Sequence, residues 1–218
     1  MPKLKNTLIA TIPAKDIARL AQCGEELLSQ KYKKSAALYD RILQFPDKDF
    51  RSNDFLDRVY GMLNAFGMNS QKARLSLPAA FKQYLKKHAD TIQSLAKIKL
   101  ERIKESDSEL IGTIGDLFDN LRLTQTNSPL VTFSKTMHFL LPDLFMPIDR
   151  RYTLRFFYEH APTNQKACFL QVFEQYRAFS HQHSEALQAL ADPHSRWNRN
   201  VPKIIDNAII GYVSNKME

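Results

Sequence analysis

A chain of 218 residues, 44% of them hydrophobic, is long enough to bury a real core, which excludes a disordered tail as the default. Only six glycines are present, too few for a sheet of tight hairpins, while recurrent Leu, Ala, Lys, Glu and Gln favour helices. A formal charge of +8 and an isoelectric point near 9.4 point to a polyanionic partner, because Lys and Arg that neutralise phosphates are the main source of non-specific affinity for nucleic acid.

The expected fold class is all-α, about ten orthogonally packed helices in one domain over 1–218, divided if anywhere into lobes 13–123 and 130–218. From Ala14 to Gln30, Ile17, Leu20, Ala21, Leu27 and Leu28 make one helical face. A helix from Lys33 is expected to bury Ala37, Leu38, Ile42 and Phe45, with Pro46 ending it. In "DFLDRVYGMLNAFG", capped by Ser52 or Asn53, Phe55, Val59, Met62, Leu63 and Phe66 form the apolar stripe and Gly67 the stop. Pro78 opens a long helical pattern reaching about Ile103, with Phe81, Leu85, Ile92 and Leu95 inside and a lysine-rich outer side. That outer side reads as a solvated face rather than a phosphate track. Ser106 or Asp107 caps a helix to Leu123, and "TQTNSP", 124–129, is the expected linker. Helices are further expected in "RRYTLRFFYEH", after Pro162, in "SEALQALA", and from Pro202 to the end, where Ile204, Ile205, Ala208, Ile209, Tyr212 and Val213 share a face.

Cys23 and Cys168 stand alone, without the spacing of a zinc knuckle or a disulfide framework. The opening "MPKLKNTLIATIP" is too short in its apolar run for a signal peptide, and no run of 18 apolar residues occurs. A cytoplasmic protein without membrane attachment is expected. Phosphate-binding glycine loops are absent, so no nucleotide cofactor is implied. His181, His183, Glu185, Asp192 and His194 lie close in sequence, but a spacing of two sends His181 and His183 to different helical faces. No metal site is expected.

The stretch "SKTMHFLLPDLFMPID", 134–149, carries more chemistry. Lys135 is set among Phe133, Met137, Leu140 and Leu141, which must pack inward, and desolvation can drive such an amine towards its neutral, nucleophilic form. His138 lies three residues on, on the same side. Asp149 follows a loop bounded by Pro142 and Pro147 and stands where a helix cap belongs, directly before Arg150 and Arg151.

These residues resemble the helix-hairpin-helix superfamily of DNA glycosylases and lyases over about 30 residues of the chain. The hairpin glycines of that family fall on Val131 and Phe133 in this register. The resemblance implies that Lys135 would attack C1′ of a sugar and that Asp149 would stabilise positive charge on it. His138 would orient groups or shuttle protons, and Arg150 and Arg151 would hold phosphates, DNA being the favoured partner over RNA. Trp197, in "SRWNRNVPK" with Arg199 and Lys203 beside it, is an aromatic with cationic neighbours of the kind that stacks on an extruded base. Asp206 is expected to pair with one of those cations. Two alternatives stand beside this reading. One is a binding module without covalent chemistry. The other is a ribonuclease similar to the HEPN type, on Arg155 with His160 in "RFFYEH" or Arg177 with His183 in "RAFSHQH", where His would act as acid or base on a phosphodiester.

Overall fold

The structure, a computed structural model, describes residues 2–216 apart from 46–47, 71–72, 127–128 and 161. Among the described residues there are twelve α-helices, ten of them seven residues or longer. In chain order they are α1 (Leu8–Thr11), α2 (Ile17–Lys31), α3 (Lys33–Leu43), α4 (Asn53–Ala65), α5 (Pro78–Lys87), α6 (Ala89–Leu95) and α7 (Ser108–Asn120). They continue as α8 (Pro129–Leu140), α9 (Thr153–Phe157), α10 (Gln165–Gln182), α11 (Ser184–Leu190) and α12 (Val201–Asn215). The one sheet among these residues is a two-residue antiparallel ladder, β1 (Asn69–Ser70) with β2 (Ala73–Arg74). The fold is all-α.

α12 explains the arrangement. Its residues from Val201 to Gly211 are all buried, and a helix covered all round belongs at the centre of a bundle. Asn200 starts it by accepting the Lys203 amide on its side-chain oxygen (3.0 Å), with Pro202 in the first turn. α2 lies directly against it, and glycines make the crossing close. A Cβ on Gly24 would sit 2.1 Å from the Asn207 carbonyl oxygen, and one on Gly211 2.2 Å from that of Leu20. The first long helix and the last one therefore meet backbone to backbone.

Several expected elements are redrawn by tertiary contacts. The helix expected from Ala14 begins as a 3-10 turn, Ala14–Asp16, before α2. Among the α3 residues whose side chains are described, Tyr39 and Ile42 are buried, whereas Ala37 and Leu38 are exposed. The rotation is set by Tyr39, whose hydroxyl reaches His138 (2.7 Å) and whose ring stacks on Trp197. Pro46, the expected stop, lies outside the described residues. The helix expected to run from Pro78 to about Ile103 is broken at His88 into α5 and α6, with a further 3-10 turn at Leu100–Arg102. There the Leu100 amide leaves the helical ladder for the Asp143 carbonyl (3.0 Å). The outer lysines of α5 are largely spoken for: Lys82 pairs with Asp57 and Lys86 donates to the Asn53 side chain.

The expected linker is fastened rather than free. Ser76 N–H donates to Leu123 O, Gln125 N–H to Arg74 O, and the Gln125 side chain to Leu75 O, while residues 127–128 of that segment lie outside the described residues. α8 begins at Pro129, six positions before Lys135. Lys135 therefore stands in mid-helix.

Candidate functional site

A helix as buried as α12 should carry only apolar side chains, yet it presents Lys203, Asp206 and Asn207 to the interior, at 4%, 3% and 0% exposure. Groups of this kind stay in a core only when paired and hydrogen-bonded. Lys203 Nζ donates to Asp206 Oδ2 (2.6 Å) and to Asn207 Oδ1 (2.7 Å). The Asn207 amide donates on to Trp197 O and Asn198 Oδ1. Asp206 Oδ1 accepts the Thr153 hydroxyl at 3.5 Å, and Thr153 Oγ1 accepts the Asp149 amide. The chain of contacts thus runs from α12 through the start of α9 to Asp149.

Asp149 caps the turn that leads into α9 and not α9 itself, whose N-cap position is Tyr152: its Oδ1 accepts the Tyr152 amide at 2.6 Å. Lys135, on α8, comes to the same place. The two line one pocket of about 60 Å³ with Tyr39, His138, Lys203 and Asp206. Lys135 is only partly covered, because it faces this space. Burial still pushes its pKa below the ordinary lysine value; Asp149 and Asp206 pull it back up, and Lys203 and Lys31 push it down again. Burial also raises the Asp206 carboxyl, opposed by Lys203. Tyr176 has a buried hydroxyl with no hydrogen-bond partner among the described residues, and burial beside Asp206 and Asp149 keeps it protonated.

His138 is 1% exposed and both its ring nitrogens are used. Nδ1–H donates to Phe145 O at 2.7 Å, which fixes the tautomer and leaves Nε2 to accept the Tyr39 hydroxyl at 2.7 Å. Burial depresses its pKa to about 3. Such an imidazole holds Tyr39 in place and stays neutral, rather than passing protons to a ligand. Its folded value lies below the ordinary 6.5, so between those values the unfolded chain takes a proton that the folded one refuses. Stability from this source is complete above pH 6.5 and drains as the pH falls towards 3. Denaturant titrations at pH 7 and 5 should show the wild type losing about 2 kcal/mol more over that interval than His138→Gln. Parallel losses would mean that another group carries the acid sensitivity.

The cationic residues expected to touch nucleic acid divide in two. Arg150 and Arg151 are exposed, the latter with its guanidinium 5.4 Å from the Tyr152 ring. Trp197, Arg199 and Lys203 face inward instead. Trp197 is 1% exposed, stacked on Tyr39 with ring centres 5.0 Å apart, so its face is not open to a base. Arg199 pairs with Asp40 (2.8 Å) and Lys203 with Asp206. Their charges are spent inside the fold, where the wish to keep buried ions paired outweighs contact with a ligand. Of the Arg and His pairs, Arg177 is buried and held by Glu174 and Ile103 O. Arg155 and His160 are exposed and line one surface hollow. Tyr39 and Tyr176 were not legible as site residues, since each reaches the cluster from an element distant in sequence, and Thr153, four residues after Asp149, reads only as the start of a helix.

Among the described residues no group of three or more His, Cys, Asp and Glu could hold a metal ion, and no helix is long and apolar enough to cross a membrane. No family model, curated protein or solved structure matches the chain.

Proposed function

We propose that the protein binds nucleic acid and that the Lys135–Asp149 pocket performs lyase chemistry on a damaged DNA strand. The observation that supports this most is the shared pocket itself, in which an amine with a lowered pKa faces a carboxylate. An amine that gives up its proton more readily is the better nucleophile towards a carbonyl. At about 60 Å³ the pocket is far below the roughly 300 Å³ at which sites for small molecules begin. It suits the slender aldehyde of an abasic deoxyribose and not an intact extruded base. In this reading Lys135 Nζ adds to the C1′ aldehyde and water leaves, giving a protonated imine. Asp149 takes a proton from C2′, and the C3′–O bond breaks with the 3′-phosphate as leaving group. Arg150 and Arg151, beside Asp149 and exposed, hold the flanking phosphates. No cofactor enters these steps.

Borohydride trapping tests the proposal. Wild-type protein incubated with abasic-site DNA is expected to give a covalent adduct, and Lys135→Ala to lose it while keeping its fold. Trapping by the Lys135→Ala variant, or none by the wild type, would overturn the chemistry. The narrowness of the pocket favours a second reading, a binding module without covalent steps, for which the same experiment gives salt-sensitive binding and no adduct.

A further inference from the structure

The first residues of the chain are fastened along the outgoing end of α9. Lys5 N–H donates to Phe157 O (2.7 Å) and the Asn6 side chain to Phe156 O (2.6 Å), which satisfies carbonyls that a helix end leaves without partners. Leu8 N–H is held by the Gln175 side chain. The segment is therefore a built edge, held through its backbone at Lys5 and Leu8. Two hollows open along it and a third adjoins them. One of about 740 Å³ is lined by Lys3, Lys5 and His160, one of about 440 Å³ by Arg150, Arg155 and His160, and one of about 230 Å³ by Lys5, Arg155 and Lys216.

These hollows share walls. Lys5 belongs to the first and third, Arg155 to the second and third, and Tyr158, Glu159, His160 and Pro162 to the first and second. The three hollows thus border one another around α9 as a trench of shared walls. Its walls carry five Lys and Arg against a single carboxylate, Glu159, a net of +4 that is half of the chain's formal +8. Among the described residues Lys3, Lys5 and Lys216 take part in no ion pair. The lysines of α5 contrast with them, since Lys82 is paired and Lys86 is hydrogen-bonded.

We infer that this trench is a track for the sugar-phosphate backbone of single-stranded nucleic acid. A concave, cationic groove follows a thin, regularly charged strand, whereas a duplex presents its phosphates on a convex cylinder and meets only the rims. The exposed large apolar residues of the chain, Ile9, Leu38 and Leu77, are not among the trench walls, so nothing there would insert into a lipid surface. The Tyr158 hydroxyl is tied to Gln171 and the Tyr212 ring is covered by Lys216. Base stacking is thus minor and the track reads charge, not sequence. The inference rests on the nucleic-acid reading above for its choice of polyanion, but not on any chemistry at Lys135.

Fluorescence anisotropy with an intact, labelled oligothymidylate of about 20 nucleotides, titrated at several salt concentrations, tests it. Lys3→Ala/Lys5→Ala/Lys216→Ala is expected to bind at least about tenfold more weakly, with the slope of log K against log salt reduced by about 2. Lys82→Ala/Lys86→Ala is expected to bind as the wild type does. If the triple variant loses its circular dichroism, Lys216→Ala alone reads the same slope, which should fall by about 0.7. Equal affinity in trench and wild-type proteins, an equal loss in the α5 variant, no binding at all, or tighter binding of duplex, polyglutamate or phosphatidylserine vesicles each overturns the track. Trench-dependent binding without a borohydride adduct would leave the track standing and sink the lyase. Trapping that is lost with Lys135 but indifferent to the trench lysines would do the reverse.

Discussion

Gly211→Ala is expected to destabilise the protein by about 3 kcal/mol or more, although it adds a single methyl group. Ordinary overpacking costs about 1–3 kcal/mol because side chains can rotate away. Here the methyl would meet the Leu20 carbonyl oxygen at 2.2 Å and its carbon at 3.0 Å, and backbone in the middle of a helix has nowhere to go. α2 would have to be pushed off α12, uncovering Leu20, Ala21 and Ile205, all of which are buried. Gly24→Ala should behave alike from the other side of the crossing, where Asn207 O lies at 2.1 Å. The control is Gly61→Ala in α4, where an added Cβ meets nothing within 4 Å. That change should stabilise the helix by up to about 1 kcal/mol through propensity. Urea titrations of the three variants measure the contrast. A Gly211→Ala protein as stable as the wild type would show that the two helices do not pack at this distance.

How much of this was legible in the sequence differs from element to element. The faces of α2 and α4 follow from the spacing of their apolar residues, because one period decides which side is buried, whereas α12, expected to keep an outer side, is buried all round from Val201 to Gly211. The close crossing of α2 and α12 does not, since a glycine in a helical pattern looks like a mere loss of propensity until its neighbour is known. The break at His88 has no proline or glycine to announce it. The later turn at Leu100 is equally unannounced, since its amide bonds with Asp143, a contact between segments more than 40 positions apart. In the site, the local pattern around Lys135 and Asp149 was readable because both belong to one short stretch, and the two do meet in a single pocket. The basic setting of Trp197 was readable too, but its meaning turned on partners the sequence cannot place. Tyr39 arrives from α3 to stack on it, and Asp40 from the same helix neutralises Arg199. A cluster of cations around an aromatic looks the same in one dimension whether it faces a phosphate or a buried carboxylate. The trench was hidden for a related reason, as its lysines come from opposite ends of the chain.

Lys203 gives the sharpest separation between a charge that binds and a charge that holds the fold. Lys203→Met keeps the length of the side chain and leaves Asp206 without its ammonium partner at 2.6 Å, and leaves Asn207 Oδ1 without its donor. Removing one member of a buried pair costs about 3–5 kcal/mol, since the remaining ion is stranded in a poorly polarisable interior. The loss should depend on pH in a definite sense. Burial already raises the Asp206 carboxyl above its ordinary value of 3.8, and without Lys203 it rises further. A carboxyl whose folded pKa exceeds its unfolded one favours the fold while protonated, and that contribution disappears as the pH climbs through the folded value. The variant's deficit relative to wild type should therefore be smallest near pH 4 and widen towards neutrality. Lys203→Met/Asp206→Asn should recover much of it at pH 7, because the second change removes the stranded charge. Urea titrations of the four proteins of this cycle at both pH values measure the coupling. If Lys203→Met instead unfolds like the wild type while weakening nucleic-acid binding, the ammonium serves a ligand at the surface, and the buried network described around α12 is not the one that holds it.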